Sequence, residues 1–172
     1  IFASPVTDND TVYFGSFDRT FYAVDAATGR EKWKFTEAKN WYWAKPLIND
    51  GKIFAANLDG RVYVLDVRTG NKLAQFDLNP ERPTAQNTGA ISSSPVLVGN
   101  SLIVATESGN VTSFNASGTD NKPLWSHYLA AKVDAPLSTD GTAVYVHTST
   151  GNLHAVNAQT GGELWRTSLK GK

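Results

Sequence analysis

The residues best suited to chemistry stand together at Trp41-Tyr42-Trp43-Ala44-Lys45, an aromatic cluster with a cation just ahead of Pro46. Such a group offers flat faces for a planar ligand, an ammonium to pair with a carboxylate, and the aromatic anchors that protein partners favour. Asp134 holds the corresponding approach to Pro136 and is the expected ion-pair partner of Lys45. Other combinations are poorer. His127, His147 and His154 are scattered and have neither a serine elbow nor a paired acid, so a hydrolase triad has no basis. With no cysteine there is no thiolate zinc site, no cysteine nucleophile and no disulfide. Asp8-Asn9-Asp10 is spelled like the start of a calcium loop but lacks the later glycine and carboxylate, and reads as a turn. No catalytic, cofactor-binding or metal residue is expected.

What must position the cluster is a repeat. Pro5, Pro46, Pro95 and Pro136 each precede Asp25, Asp66, Asn115 and Asn157 by a nearly constant interval, which divides the chain into four units at roughly 1–41, 42–90, 91–131 and 132–172. The second unit is longer, and the extra residues near 79–89 are rich in turn formers and breakers, as a loop added to a fixed frame would be.

Each unit reads as a meander. In the first, β-branched and aromatic runs at 11–15, 21–25 and 31–35 follow a short segment at 4–6 and are separated by Asp8-Asn9-Asp10, Phe17-Asp18-Arg19 and Thr28-Gly29. The others place Asp50-Gly51, Asp59-Gly60, Ser108-Gly109, Asp140-Gly141 and Thr150-Gly151 at equivalent turns, where glycine supplies the positive φ a tight turn needs. The strands are apolar at nearly every position, as in Val12-Tyr13-Phe14 and Ile53-Phe54-Ala55-Ala56, so both faces of each sheet require cover. Stacking the sheets radially covers them together, which predicts an all-β propeller of four-stranded antiparallel blades.

The segment Ala23-Val24-Asp25-Ala26-Ala27-Thr28-Gly29-Arg30-Glu31-Lys32-Trp33 fits A-x-D-x-x-T-G-x-x-x-W, and in it the chain resembles the PQQ-like propeller repeat. The second unit keeps Asp66, Thr69 and Gly70 but has Ala74 in place of tryptophan; the fourth keeps Thr160, Gly161 and Trp165 with Asn157 for the aspartate. The third departs furthest, with Asn115, Gly118 and a spaced Trp125. Physically, Asp25 or Asp66 can accept from the amides of the following turn, and Gly29, Gly70 or Gly161 takes the left-handed position. Trp33, Trp125 and Trp165 are expected to rivet one blade to the next, leaving a weaker or compensated seam at Ala74. The resemblance implies rings of seven or eight blades. Four units therefore imply half of a larger ring, a second copy completing it, or a small four-bladed propeller.

Composition narrows the function. The 172 residues carry 16 Lys+Arg and 16 Asp+Glu, a net charge of zero that argues against nucleic acid, and no apolar run approaches a bilayer span. The start at Ile1 reads as a mature product or an excised piece. By resemblance to the propeller of the outer-membrane β-barrel assembly lipoprotein, the expected role is a non-enzymatic module for protein-protein binding or scaffolding, in the periplasm or outside the cell, without cofactor. The alternative that the resemblance implies is a quinoprotein dehydrogenase holding pyrroloquinoline quinone and calcium at the axis. Its vicinal disulfide is absent from this chain.

Overall fold

The computed structural model describes residues 3–79 and 89–169, so most of the insertion expected at 79–89 lies outside the described residues. The chain forms four four-stranded antiparallel sheets in sequential order. These are β1 (Val6–Asp8), β2 (Thr11–Gly15), β3 (Phe21–Asp25) and β4 (Glu31–Phe35); β5 (Leu47–Asn49), β6 (Lys52–Ala56), β7 (Arg61–Asp66) and β8 (Lys72–Asp77); β9 (Val96–Val98), β10 (Ser101–Ala105), β11 (Asn110–Asn115) and β12 (Trp125–Tyr128); β13 (Ser138–Thr139), β14 (Ala143–His147), β15 (Asn152–Asn157) and β16 (Glu163–Ser168). No helix occurs among the described residues. The fold is the all-β propeller that the repeat predicts.

The repeated motif has a common local structure. Asp25 Oδ1 accepts from the Thr28 amide at 2.8 Å and the Thr28 hydroxyl at 2.7 Å, and Asp66 accepts from the Thr69 amide and hydroxyl at 2.7 and 2.8 Å. Asn157 needs only its side-chain carbonyl to accept from the Thr160 amide at 3.0 Å. The bonds close the turn, and Gly29, Gly70 and Gly161 take φ of 71°, 72° and 74° in it. Just beyond each of these turns the register slips, so that Ala23 pairs with Trp33 while Val24 pairs with Glu31. The same slip recurs in the second and fourth blades. It leaves Lys32, Leu73 and Leu164 as the extra residues, and such a bulge turns the residue beside it across the sheet.

The core lies in the seams between blades. Between the first two blades, Tyr13, Phe21, Ala23 and Phe35 pack on Ile53, Ala55, Tyr63 and Leu65. Trp33 seals that seam: its indole N–H donates to the Val67 carbonyl at 3.2 Å and its ring lies against Gly70. Trp125 repeats the arrangement, donating to Ala158 O at 3.0 Å with its ring on Gly161. The middle seam, where Ala74 replaces tryptophan, is compensated by Phe76 stacked on Phe114 at 4.8 Å within a cluster that includes Phe54, Ile91 and Leu102. Burying such side chains stabilises by about 1.5–3 kcal/mol each.

Trp165 departs from the expectation. It is 46% exposed and, among the described residues, no blade succeeds β16 for it to rivet. On the opposite flank nothing packs over Gly29 among the described residues. Both outer flanks are thus open among the described residues.

Candidate functional site

The connection from β4 to β5 crosses the turn that joins β2 to β3 and the turn that joins β6 to β7, and is fastened to both. Tyr42 N donates to Ser16 O at 3.3 Å, and Leu58 N donates to Trp41 O at 3.0 Å. Beneath it sits Asn57, a fully buried amide whose Nδ2 donates to Asn40 O at 2.9 Å and whose Oδ1 accepts from Asp59 N at 2.8 Å. Asn40 Oδ1 in turn accepts from Trp41 N at 2.8 Å. These bonds fix the connection, and from Trp41 to Pro46 exposed and buried residues alternate along it.

That alternation separates the cluster. Trp41, Trp43 and Lys45 point outward, whereas Tyr42, Ala44 and Pro46 are buried. Tyr42 is therefore not part of an exposed platform: it is 1% exposed, edge-on to Phe21 at 5.5 Å, and burial pushes its phenol well above the ordinary tyrosine range. Its ring fills the space over Gly15, where a Cβ would collide with it. Trp41 and Trp43 remain 44% and 42% exposed and both stack on Phe17, with ring centroids 4.9 and 5.6 Å apart.

Trp41 and Trp43 form one wall of a pocket of about 350 Å³ whose other wall carries Glu107, Lys132 and Asp134. Lys132 bridges the two carboxylates, at 3.7 Å from Glu107 and 3.4 Å from Asp134. The expected pair between Lys45 and Asp134 is not formed. Asp134 is on the aromatic side with Lys132, while Lys45 lines a separate opening of about 590 Å³ together with Ser4, Ser94 and the repeat prolines Pro46, Pro95 and Pro136. Its backbone N–H donates there to Ser94 Oγ at 3.0 Å.

Phe17, Glu107 and Lys132 complete the aromatic and charged walls. Phe17, Leu58 and Glu107 occupy the same place in successive turns between second and third strands, so aligning those turns against the connections that cross them would have found two of them.

The opening that holds Lys45 draws a residue from the proline approach of each blade, as an axial channel would. Calcium takes oxygen ligands, chiefly carboxylates and carbonyls. The side chains lining this opening are hydroxyls, prolines, aliphatics and one ammonium, with no carboxylate. They do not fit a calcium-bound quinone. Among the described residues no group of three or more metal-ligating side chains gathers elsewhere.

Known proteins place the chain. It is 32% identical over 124 residues to the outer membrane protein assembly factor BamB of Shewanella oneidensis, covering 70% of this chain and 31% of that protein. To the Burkholderia pseudomallei factor of the same name it is 31% identical over 174 residues, covering 96% of this chain and 42% of the relative. The chain therefore spans less than half the length of these curated relatives. The quinoprotein alcohol dehydrogenase PedH of Pseudomonas putida is 26% identical over 157 residues, covering 83% of this chain and 26% of the enzyme. The crystal structure of BamB from Moraxella catarrhalis superposes with a TM-score of 0.79 at 22% identity, covering 95% of this chain and 50% of that one. Residues 1–121 and 115–172 both match the family of the outer membrane protein assembly factor BamB, and the chain belongs to that family.

Proposed function

We propose that this chain is a non-enzymatic propeller module that binds proteins during outer membrane protein assembly in the bacterial cell envelope. It engages its partners through Trp41 and Trp43 beside the Glu107, Lys132 and Asp134 group. The observation that carries the reading is the stacking of Trp41 and Trp43 on Phe17 while both remain more than two-fifths exposed. Large indoles held in water by a rigid backbone lose little freedom on binding, and such residues dominate binding energy where they meet a partner. The adjoining ion pairs are exposed enough to exchange partners at small cost. Support for the protein-binding role also comes from the assembly factors among the relatives.

The competing dehydrogenase reading has the PedH similarity in its favour, and the carboxylate-free axial lining stands against it. The two are separated by titrating the chain with purified outer membrane protein assembly machinery and, separately, with pyrroloquinoline quinone and calcium. Saturable binding to the machinery is expected, weakened at least about thirtyfold in the Trp41→Ala/Trp43→Ala double variant with an unchanged melting curve. Equal binding by the double variant, or saturable quinone binding with dye-linked alcohol oxidation, would overturn the proposal.

A further inference from the structure

Every wall of the pocket beside Trp41 and Trp43 is internal to the chain. The two tryptophans come from the connection between the first two blades and Ser92 from the next connection. Glu107 belongs to the turn between β10 and β11, and Lys132 and Asp134 to the connection between β12 and β13. Backbone bonds fix these pieces: Glu107 N donates to Ala90 O at 2.8 Å, and Ser149 N donates to Lys132 O at 2.9 Å. The pocket is therefore held by the blades and not by the side chains that line it.

Its charges are unevenly matched. Two carboxylates share one ammonium, and at 3.7 and 3.4 Å from Lys132 both lie beyond the roughly 2.7–2.9 Å of a charge-assisted hydrogen bond. Neither the Glu107 nor the Asp134 carboxylate accepts a hydrogen bond among the described residues. Ser92 adds a third unmet group: it is 7% exposed, and its hydroxyl has no hydrogen-bond partner among the described residues. A buried polar group left in that state costs free energy that a ligand can recover. The facing wall is aromatic, with Trp41 and Trp43 at 20° and 19° from parallel with the Phe17 ring. Indole faces carry the negative side of the ring quadrupole, so both walls favour positive charge.

We propose that this pocket receives an arginine side chain of a partner protein, which rests on the protein-binding reading of Trp41 and Trp43 and names the chemistry they recognise. The guanidinium stacks flat on an indole and turns its fork of N–H donors to Glu107 and Asp134. Its arrival brings two cations to two carboxylates and balances the pocket. An anion would meet the unpaired charge of the carboxylates and the negative ring faces. Lysine is the poorer fit, because its ammonium is a strongly hydrated point charge with no plane to stack. Lys132 is the resident competitor: it is half exposed and loosely paired, so it yields to the incoming group at small cost.

The test titrates the chain with blocked tripeptides that carry arginine, lysine or citrulline between two glycines, read by the indole N–H resonances of Trp41 and Trp43. Saturable shifts are expected with arginine. Binding should be at least about tenfold weaker with citrulline, which keeps the shape and loses the charge, and about threefold weaker with lysine. Glu107→Gln with Asp134→Asn removes the charge at constant shape and should weaken arginine binding at least about tenfold with an unchanged melting curve. Lys132→Gln should tighten it about two- to fivefold, the reverse of what losing a structural residue would do. No saturable shift with arginine, equal binding of citrulline or lysine, or weaker binding in Lys132→Gln would overturn the proposal. Purified assembly machinery separates it from the broader reading. If the machinery fails to bind Trp41→Ala/Trp43→Ala but binds Glu107→Gln/Asp134→Asn unchanged, arginine recognition falls and the protein-binding reading stands; if it binds both variants unchanged, both fall.

Discussion

The Trp33 ring lies on Gly70 of the following blade, so close that a Cβ there would sit 2.5 Å from the ring. Gly29 has nearly the same backbone conformation and open space above it among the described residues. The pair separates two costs of replacing glycine. Gly29→Ala should cost only the left-handed strain, about 1–2 kcal/mol. Gly70→Ala adds a collision with a packed indole and should cost about 2–5 kcal/mol in all. Urea denaturation measures both, and equal losses would refute the assignment of Trp33 as a seam rivet.

Asn57 is expected to matter more than its size suggests. It is fully buried and ties the connection carrying Trp41 to the turn between β6 and β7. Asn57→Ala leaves the Asn40 carbonyl and the Asp59 amide without their partner, for a loss of about 1–3 kcal/mol. Trp41 should become mobile at the same time, seen as a drop in tryptophan anisotropy.

Acid should destabilise the chain through its turns. Hydrogen bonds from the Thr28 hydroxyl and amide hold Asp25 below the ordinary carboxylate range, and the Thr69 pair does the same for Asp66. Asp140 is pushed down to about 2 by the Ala143 and Thr142 amides and the Tyr145 hydroxyl. A carboxylate depressed in the folded state favours folding when charged, so its contribution is complete above the unfolded value near pH 4 and is lost as pH falls toward the folded one. Thermal melts should be level from neutral pH to about 5 and fall steeply between about 4 and 2. Asp25→Asn with Asp66→Asn should fold at neutral pH, as Asn115 and Asn157 serve the same turn, and should lose less on acidification. A decline that begins well above pH 5 would contradict this origin.

Arg19 is an opportunity for stabilisation. It has φ of 70° in the turn where the other blades have Gly60, Gly109 and Gly151 at 82°, 94° and 80°. Replacing it with glycine relieves the left-handed strain and gives back part of the gain as added freedom in the unfolded chain. The net expectation for Arg19→Gly is about 0.5–1 kcal/mol of added stability, read from the urea midpoint at constant slope.

The blades were legible because their signals are local and repeated. Asp25, Thr28 and Gly29 dictate a turn by hydrogen bonding and conformation alone, and four copies of the pattern reinforce one another. Trp33 and Trp125 could be placed in seams because a large ring on a sheet whose two faces both need cover packs against the neighbouring blade. Trp165 carries the same local pattern, but its environment depends on the surface that meets the outer flank of the fourth blade, which no local rule encodes. The site was harder for a related reason. Trp41, Tyr42 and Trp43 read as one cluster until the path of the connection turns Tyr42 inward. Lys132 joins the tryptophans only through the stacking of blades, so its distance in sequence concealed it, whereas Phe17 and Glu107 share a turn position that an alignment of the units exposes. Lys45 and Asp134 share an approach to proline, yet one faces the axial opening and the other the aromatic pocket.

The central claim is that the face carrying Trp43 meets other proteins of outer membrane assembly. It is tested most directly by placing a photo-crosslinking amino acid at Trp43 and, as a control, at exposed Leu73 on the bulge of β8. Irradiation with purified assembly machinery, then mass spectrometry, should give a defined crosslink from position 43 and none from position 73. No crosslink from position 43, or equal crosslinking from both positions, would contradict the account.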